Sequence, residues 1–362
     1  MSWVLVFLGF AFLIILHEFG HFVAAKATGM RVERFFLFFP PRLVSRRRGE
    51  TEYGIGAIPL GGFVKITGMN PEEELPPEVA ARGYYHQPVW KRIVVIGAGP
   101  AINIALALVL LFLLSFGARD LANTVEGIVP GSPAAQQLRA GDRIVAIEGR
   151  SFAGLPLETR LQRFADTVAA DRCPGRQLDG CRGAGPLAVT IRRDGQARTI
   201  EMVPEYDAAV GRMRLGFSYG SVPADRSVGA ALDRSTGFMW LITSKTASVF
   251  ANIFDPQQRK QVSGVVGVSD VAHQTVGIGW RESLTLLAVI SLSLGLINLF
   301  PFLPLDGGHI FWSLVEKLRG RPVPFRVMER AGAIGFVLVI MLFLIGLTND
   351  IGRLTGEGFN VR

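Results

Sequence analysis

The chain has 362 residues, a formal net charge of +8 and only 19% charged residues. Its mean hydropathy of +0.34 is higher than that of an ordinary soluble protein, so this composition argues against one. The basic balance requires no nucleic-acid partner, because lysines and arginines that flank membrane segments account for it.

Four apolar segments are predicted to cross a membrane, at residues 2–25, 93–116, 283–303 and 331–347. Basic residues are concentrated in the loops after the first and third segments. By the positive-inside rule these loops face the cytoplasm, and the long 117–282 loop faces outward. We therefore expect a polytopic α-helical membrane protein with about four transmembrane helices.

The first apolar segment ends in His17-Glu18-Phe19-Gly20-His21. Histidines four residues apart share one helical face and can bind a single Zn²⁺, and H-E-x-x-H is a zinc-hydrolase signature. Glu18 is placed to accept a proton from water. Ionisable residues within an apolar helix are costly and indicate function. The motif predicts a metal-dependent hydrolase within the bilayer; ordinary core histidines and a helix-end carboxylate are the alternative.

A second polar motif, Asn298 to His309, ends the third segment. The first and third segments cross in the same direction, so both motifs arrive near the same membrane face. Catalytic zinc usually has three protein ligands, which makes Asp306 the natural third ligand. Asp-Gly-Gly is equally typical of a turn, and His309 is a competing ligand. Pro301 and Pro304 are expected to break the helix, while Gly307 and Gly308 permit tight backbone packing after Asp306.

Two regions carry β-strand signals. Tyr53–Gly68 alternates apolar residues with glycine, and Pro59-Leu60-Gly61-Gly62 predicts a turn between two short strands. In the long loop, residues 125–200 resemble a PDZ domain, with a tight hairpin turn at Asp194-Gly195. Cys173 and Cys181 lie there within a Gly/Pro-rich insertion. They are expected to pair in an oxidising compartment, with two free thiols as the alternative.

Taken together, His17–His21 and Asn298–Gly308 resemble the site-2 protease family of intramembrane zinc metalloproteases, especially its bacterial regulator-of-sigma-E type. The resemblance also covers Gly54–Gly68, Gly97–Asn103 and the PDZ-like region. It implies one Zn²⁺ per chain held by His17, His21 and Asp306, with Glu18 as general base. The well-studied proteobacterial type has two tandem PDZ domains, whereas this loop has room for only one.

The resemblance further implies that Tyr53–Gly68 forms a membrane-associated β-hairpin whose edge pairs with substrate; a plain cytoplasmic hairpin is the alternative. Asn298 is expected near the zinc, where it binds substrate backbone or a developing oxyanion, or is simply a packing amide. The expected substrate-binding residues are Gly56, Ile58, Gly61, Gly62, Asn298 and Pro301.

The expected domains are an N-terminal membrane core (1–116), an extracytoplasmic PDZ-like β domain (117–220), an amphipathic connector (221–282) and a C-terminal membrane core (283–362). The resemblance implies cleavage of single-pass membrane proteins, such as anti-sigma factors or remnant signal peptides, after a site-1 protease has shortened them. The expected location is the bacterial inner membrane, with no nucleic-acid partner. A non-enzymatic membrane receptor or chaperone and a metal transporter are the rival hypotheses.

Overall fold

The computed structural model describes residues 2–70, 72–152, 154–155, 157–208, 210–252, 255 and 262–355. Its α-helices in chain order are α1 (Ser2–Ala27), α2 (Pro77–Ala80), α3 (Val89–Ser115), α4 (Pro133–Gln137), α5 (Leu157–Ala170), α6 (Val228–Ala251), α7 (Val265–Ile278), α8 (Trp280–Asn298), α9 (Asp306–Arg319) and α10 (Phe325–Thr355). Its strands are β1 (Val32–Arg48), β2 (Thr51–Ile66), β3 (Arg119–Ile128), β4 (Arg143–Ile147), β5 (Arg150–Ser151), β6 (Leu187–Arg193), β7 (Gln196–Met202), β8 (Glu205–Asp207), β9 (Arg212–Arg214) and β10 (Phe217–Pro223).

The chain packs as two units. The helical unit contains residues 1–115 and 227–362, and the inserted unit contains residues 116–226. Because β10 pairs with β3 and continues to Pro223, the inserted unit extends past residue 220, where the sequence analysis placed its boundary. The last strand of the inserted unit thus pairs with its first strand.

Among the described residues of the helical unit, four helices are long and apolar enough to cross a membrane: Trp3–Ala27, Val89–Ser115, Trp280–Asn298 and Phe325–Arg353. This agrees with the four segments predicted from the sequence. The third helix ends at Asn298 instead of residue 303, because Pro301 lacks the N–H that a continuing helix needs.

β1 and β2 form a sheet in which each long strand contributes two paired segments. Residues 32–37 pair with 62–66 on one side and with 52–55 on the other, and residues 42–48 pair with 51–56. The predicted simple hairpin is therefore wrong in its pairing. The segments before and after the turn at Pro59 flank residues 32–37 instead of pairing with each other.

The inserted unit has a sheet in the order β10-β3-β4-β6-β7, with β5 beside β4, and a separate β8-β9 pair. Asp194 and Gly195 both have positive φ in the predicted β6-β7 turn. Cys173 and Cys181 form the expected disulfide. Twelve buried residues form the core: Val125, Ala134, Leu138, Ile144, Ile147, Phe152, Phe164, Val168, Val189, Ile191, Met202 and Leu215.

The predicted amphipathic connector contains helix α6, which carries the apolar side chains Met239 and Ile242. In the structure both side chains pack against a cluster of α3 and α8 residues that includes Leu111 and Leu292. Phe250, near the end of α6, lies with its ring centroid 4.2 Å from that of Phe300, just after α8. Part of the apolar surface of α6 is therefore buried against helices of the same unit, while Trp240 is 72% exposed.

Candidate active site

Three potential metal ligands converge where α1 meets the start of α9. Asp306 Oδ2 lies 3.0 Å from His17 Nε2 and 3.3 Å from His21 Nε2, and the two nitrogens are 3.2 Å apart. Ligand atoms bound tetrahedrally to zinc at 2.0–2.1 Å are separated by roughly 3.3 Å. Two imidazoles and a carboxylate at this spacing therefore fit a zinc ion and leave a fourth position open.

Both histidines are buried, but their Nδ1 atoms differ in hydrogen bonding. His21 Nδ1 lies 2.9 Å from the carbonyl oxygen of Val95 on α3. A proton on Nδ1 satisfies that carbonyl and leaves the Nε2 lone pair for the metal. Among the described residues, His17 Nδ1 has no hydrogen-bond partner although it is buried. The ring of His17 is instead placed by its contacts with His21, Asp306 and the neighbouring helix.

Glycines at the crossing of α1 and α3 make room for the imidazole rings. A Cβ added to Gly99 would lie 2.9 Å from His17 Nε2 and would collide with the ring of His21. A Cβ added to Gly20 would lie 2.5 Å from the carbonyl oxygen of Ala98. The two helix backbones therefore approach closely only because both residues are glycine. The family resemblance includes Gly97–Asn103, but the sequence does not identify the histidines as the residues that Gly99 contacts.

Asp306 is the first residue of α9, and no side chain caps that helix. Its carboxylate contacts the histidines instead. Added Cβ atoms at Gly307 and Gly308 would collide with the backbone of residues 299–300 and 302–303 respectively. The Asp-Gly-Gly motif thus allows the chain to fold back tightly after α8, which is the tight backbone that the sequence predicts after Asp306.

The rest of α9 lies along α3. A Cβ added to Gly97 on α3 would lie 3.9 Å from Ile310 Cδ1 on α9. Six residues further along α9, Glu316 forms a bidentate ion pair with Arg92 at 2.5 and 3.0 Å. The guanidinium of Arg92 also lies 5.4 Å from the ring centroid of Tyr85. Arg92 is 2% exposed, so its charge is balanced almost entirely by Glu316. This pair fixes the end of α9 that is farthest from Asp306.

Glu18 faces the β1-β2 sheet. A Cβ added to Gly62 would lie 3.0 Å from Glu18 Cγ and 3.5 Å from Ile14 Cγ2. The Glu18 carboxyl group also interacts with the backbone of Val64. Residues 62–66 pair with 32–37 and have no strand partner on their other side in the described part of the chain. The side chain of Glu18 therefore stands beside a free strand edge.

The other predicted substrate-binding residues are more widely spread. Gly56 pairs with Arg42, and Ile58 pairs with Phe39 near the far end of the sheet. Gly61 has a φ of 157°, and an added Cβ would lie 2.9 Å from the Phe39 ring, so only glycine fits there without strain. Of the hairpin residues, Gly62 contacts Glu18, while the other three lie further along the sheet.

The position of Asn298, the last residue of α8, is compatible with both of its predicted roles. Its side-chain amide donates to the carbonyl of Leu294 at 3.0 Å, within the same helix. Pro301 is exposed in the bend that follows. His309 lies one turn after Asp306 and is half-buried, outside the converging His17, His21 and Asp306 group. Substrate-binding roles for Asn298 and Pro301 therefore stay predictions.

The sequence did not point to Gly20 or to the Arg92–Glu316 pair, and it included Gly99 only as one residue of Gly97–Asn103. Glycine in an apolar helix signals close packing, but it does not name the partner. Arg92 and Glu316 are 224 residues apart in the chain. In the sequence alone, each is one of several charged residues next to an apolar segment. Only the fold brings them together.

Comparisons with known proteins identify the family. The model of peptidase family M50 matches residues 5–342. The chain is 30% identical to zinc metalloprotease Rip1 of Mycobacterium tuberculosis, covering 93% of this chain and 94% of that protein. It is 33% identical to zinc metalloprotease Rip1 of Mycolicibacterium smegmatis, with 90% and 88% covered. A putative zinc metalloprotease of Brucella suis is 31% identical, with 93% and 92% covered.

Among solved structures, the PDZ domain of the SdrC-like protein from Listeria monocytogenes matches 28% of this chain and 93% of that chain, at 17% identity and a TM-score of 0.20. That score is too low to support a shared fold, so the PDZ-like nature of the inserted unit rests on its sequence. The family match and the His17, Glu18, His21 and Asp306 arrangement favour the protease over the receptor and transporter hypotheses. The chain belongs to peptidase family M50, the site-2 protease family, and is a zinc metalloprotease with several apolar helices of membrane-spanning length.

Proposed function

We propose that this protein hydrolyses a peptide bond in or near the transmembrane segment of single-pass membrane proteins that another protease has already shortened. Anti-sigma factors and remnant signal peptides are the expected substrate classes. The protein lies in the bacterial inner membrane, with its active site toward the cytoplasm and its inserted unit outside. One zinc ion per chain is held by His17, His21 and Asp306.

The observation that carries this proposal is the position of Glu18 between the three ligands and the free edge of residues 62–66. A transmembrane substrate is helical, so its carbonyl groups are hidden in i→i−4 hydrogen bonds. An unwound substrate segment can pair with the strand edge as an additional strand. That pairing presents an extended backbone beside Glu18 and the ligand cluster.

The chain's own groups then perform the proton transfers. Bound zinc supplies Lewis-acid activation of a water molecule and of the scissile carbonyl. Glu18 accepts the proton of the attacking water and returns it to the leaving amine. Val95 holds His21 through Nδ1, and the close α1–α3 contact at Gly20 and Gly99 limits movement of both rings. Substrates with helix-destabilising residues near the cleaved bond are expected to react faster.

The test is cleavage of a tagged single-pass substrate by the purified full-length protein in detergent. Glu18→Gln keeps the side-chain shape but removes the base, so we expect normal zinc content and at least a thousandfold lower activity. Asp306→Asn is expected to lower zinc content as well as activity. Glu78→Gln, an exposed carboxylate on α2, serves as the matched control and is expected to behave like wild type.

Chelation should abolish cleavage by wild type, and added zinc should restore it. Equal product from wild type and Glu18→Gln would contradict the assignment of Glu18 and would indicate a contaminating protease. Cleavage of soluble unfolded proteins at the same rate as the membrane substrate would contradict the proposed substrate class.

A further inference from the structure

The β1-β2 sheet extends along α1, the first of the helices long enough to span a membrane. Near the end of α1, the ring centroid of Phe22 lies 5.2 Å from that of Phe35. Closer to the start of the helix, Phe7 lies 6.0 Å from Phe38. Fifteen residues of helix separate Phe7 from Phe22, a rise of about 22 Å. The sheet therefore follows α1 through most of the thickness of a bilayer core.

The far end of the sheet, which we call the apolar tip, consists of Phe39, Leu43, Val44, Ile55 and Ile58. All five side chains are exposed, and Leu43 and Val44 are 67% and 66% exposed. An exposed group of large apolar side chains on a segment that runs beside a membrane-spanning helix is suited to lipid. Arg42 at this end directs its guanidinium to Glu52, 3.2 Å away and further from the tip.

The opposite end of the sheet is basic. Arg46, Arg47 and Arg48, which we call the arginine strand, are consecutive, exposed and paired with residues 51–53. Along the strand, Arg46 lies about 7 Å from Val44 and Arg48 about 13 Å from it. The turn that follows them is tied to the end of α1, because Glu50 forms an ion pair with Lys26. The arginine strand thus lies at the level where α1 leaves the membrane.

The neighbouring carboxylates leave the arginine strand unneutralised. Glu52 pairs with Arg34 and Arg42, and Glu33 pairs with Arg31 and Lys65. Glu50 pairs with Arg82 and Lys26, and their hydrogen bonds lower its pKa to about 2, so that it stays charged and engaged. Within the described residues, the side chains of Arg46, Arg47 and Arg48 form no ion pair or hydrogen bond.

We propose that the arginine strand binds the headgroups of anionic phospholipids and thereby holds the β1-β2 sheet, with Gly62 against Glu18, at a fixed depth beside α1. Arg46 and Arg48 project from one face of the strand and Arg47 from the other. Each free guanidinium group complements a phosphate headgroup, which it can bind with two parallel hydrogen bonds. An exposed basic residue at an anionic surface adds about 1 kcal/mol, or roughly fivefold, to association. This inference rests on the proposed placement of the active site toward the cytoplasmic leaflet.

The first test is native mass spectrometry of the full-length protein, titrated with phosphatidylglycerol or with phosphatidylcholine in a neutral detergent. Wild type is expected to prefer phosphatidylglycerol. The variant Arg46→Gln/Arg47→Gln/Arg48→Gln is expected to lose at least fivefold in affinity for phosphatidylglycerol, with unchanged affinity for phosphatidylcholine. The matched control replaces three exposed arginines of the inserted unit by glutamine: Arg163, Arg176 and Arg198. That control and a triple lysine variant of the arginine strand should keep the preference.

The second test compares cleavage in nanodiscs of anionic or zwitterionic lipid and in detergent. The triple glutamine variant should match wild type in detergent and fall severalfold below it in anionic nanodiscs, with the difference reduced by 0.5 M salt. Activity of wild type in lipid-free detergent tests the proposed function separately, so the two can fail independently.

Three outcomes would overturn the lipid proposal. One is an unchanged phosphatidylglycerol preference in the triple glutamine variant. Another is an equal loss in the lysine and glutamine variants, since the lysines keep the charge. The third is an unchanged lipid preference combined with slower cleavage of substrates that carry an acidic cytoplasmic tail, which would assign the arginine strand to substrate binding.

Discussion

The helical unit and the inserted unit bury polar groups for different purposes. In the inserted unit twelve apolar residues form the core, and the buried carboxylate of Asp142 is neutralised by Arg193 at its edge. In the helical unit His17 and His21 are buried next to backbone, at a point where Gly20 and Gly99 replace the side chains that would otherwise fill the space. The inserted unit gains stability from its packed core. The helical unit instead leaves space beside the histidines, and this space lets the ligand atoms lie close together.

The largest effect is expected from a substitution that fills the space beside the histidines. Gly99→Ala places a methyl group 2.9 Å from His17 Nε2 and into the ring of His21, so the rings must move apart. We expect loss of zinc and at least a hundredfold lower activity. Gly97→Ala lies two residues away on the same helix, and its methyl group would meet only Ile310 Cδ1 at 3.9 Å.

Both alanine variants gain up to about 1 kcal/mol of helix propensity. Thermal unfolding, zinc content by mass spectrometry and substrate cleavage measured on both proteins therefore separate packing from ligand geometry. Gly97→Ala should keep zinc and activity with equal or higher stability. If Gly99→Ala also keeps its zinc, the histidines have room that the structure does not provide, and the comparison between the two units fails.

Each unit contains a largely buried arginine–carboxylate pair, and removing one charge from each pair tests whether the two units differ in their effect on zinc binding. Glu316→Gln removes one charge from the Arg92 pair, and Asp142→Asn does the same for the Arg193 pair. Each leaves a mostly buried guanidinium without its partner, so both proteins should be less stable. Only the Arg92 pair holds the helix that carries Asp306. We therefore expect Glu316→Gln to lower zinc affinity about tenfold, while Asp142→Asn leaves it unchanged.

Zinc affinity is measured by competition with a chelator at a temperature where both variants are folded. The exchanged variant Arg92→Glu/Glu316→Arg restores opposite charges and should recover part of the affinity. Equal zinc affinity in wild type and Glu316→Gln would show that Asp306 is positioned by Gly307 and Gly308 alone.

The sequence predicted the ligand set but not its support. His17, Glu18 and His21 share a short helical segment, and their spacing alone specifies one face of a helix. Asp306 required a topological argument, since two membrane crossings return the chain to the same side. The contacts of Gly99 with His21, of Arg92 with Glu316 and of Gly62 with Glu18 join residues 44 to 224 positions apart. Local periodicity carries no information on such pairs.

The strand arrangement was missed for a related reason. The turn signal at Pro59–Gly62 predicts two strands but not what lies between them. Residues 32–37 include Phe35, Phe36 and Leu37, and they occupy the centre of the sheet because an apolar strand gains most from neighbours on both sides. The apolar face of α6 fits lipid and helices equally well, so the sequence alone does not show which of them Met239 and Ile242 contact.

The smallest expected effect concerns the pH dependence of the inserted unit. The guanidinium of Arg193 donates to both oxygens of Asp142, at 2.7 and 2.6 Å, and the backbone N–H of Arg139 donates at 2.8 Å. The Arg193 hydrogen bonds hold the pKa of Asp142 below its usual value. A lowered pKa in the folded state means that the pair stabilises fully above the unfolded pKa of about 3.9 and less as pH falls through the folded value.

Hydrogen exchange of β4 and β6 amides in the full-length protein measures this contribution without isolating the unit. At pH 7 and pH 5, Asp142→Asn should exchange faster than wild type by the same factor, because the carboxylate is ionised at both. At pH 3 the factor should begin to shrink, because the carboxyl group of Asp142 in the unfolded state, with a pKa of about 3.9, then binds a proton. Zinc content should not differ between the two proteins at pH 7, since the inserted unit supplies no ligand. A factor that grows on acidification would reverse the sign of the linkage and would mean that Arg193 does not stabilise the charged form of Asp142.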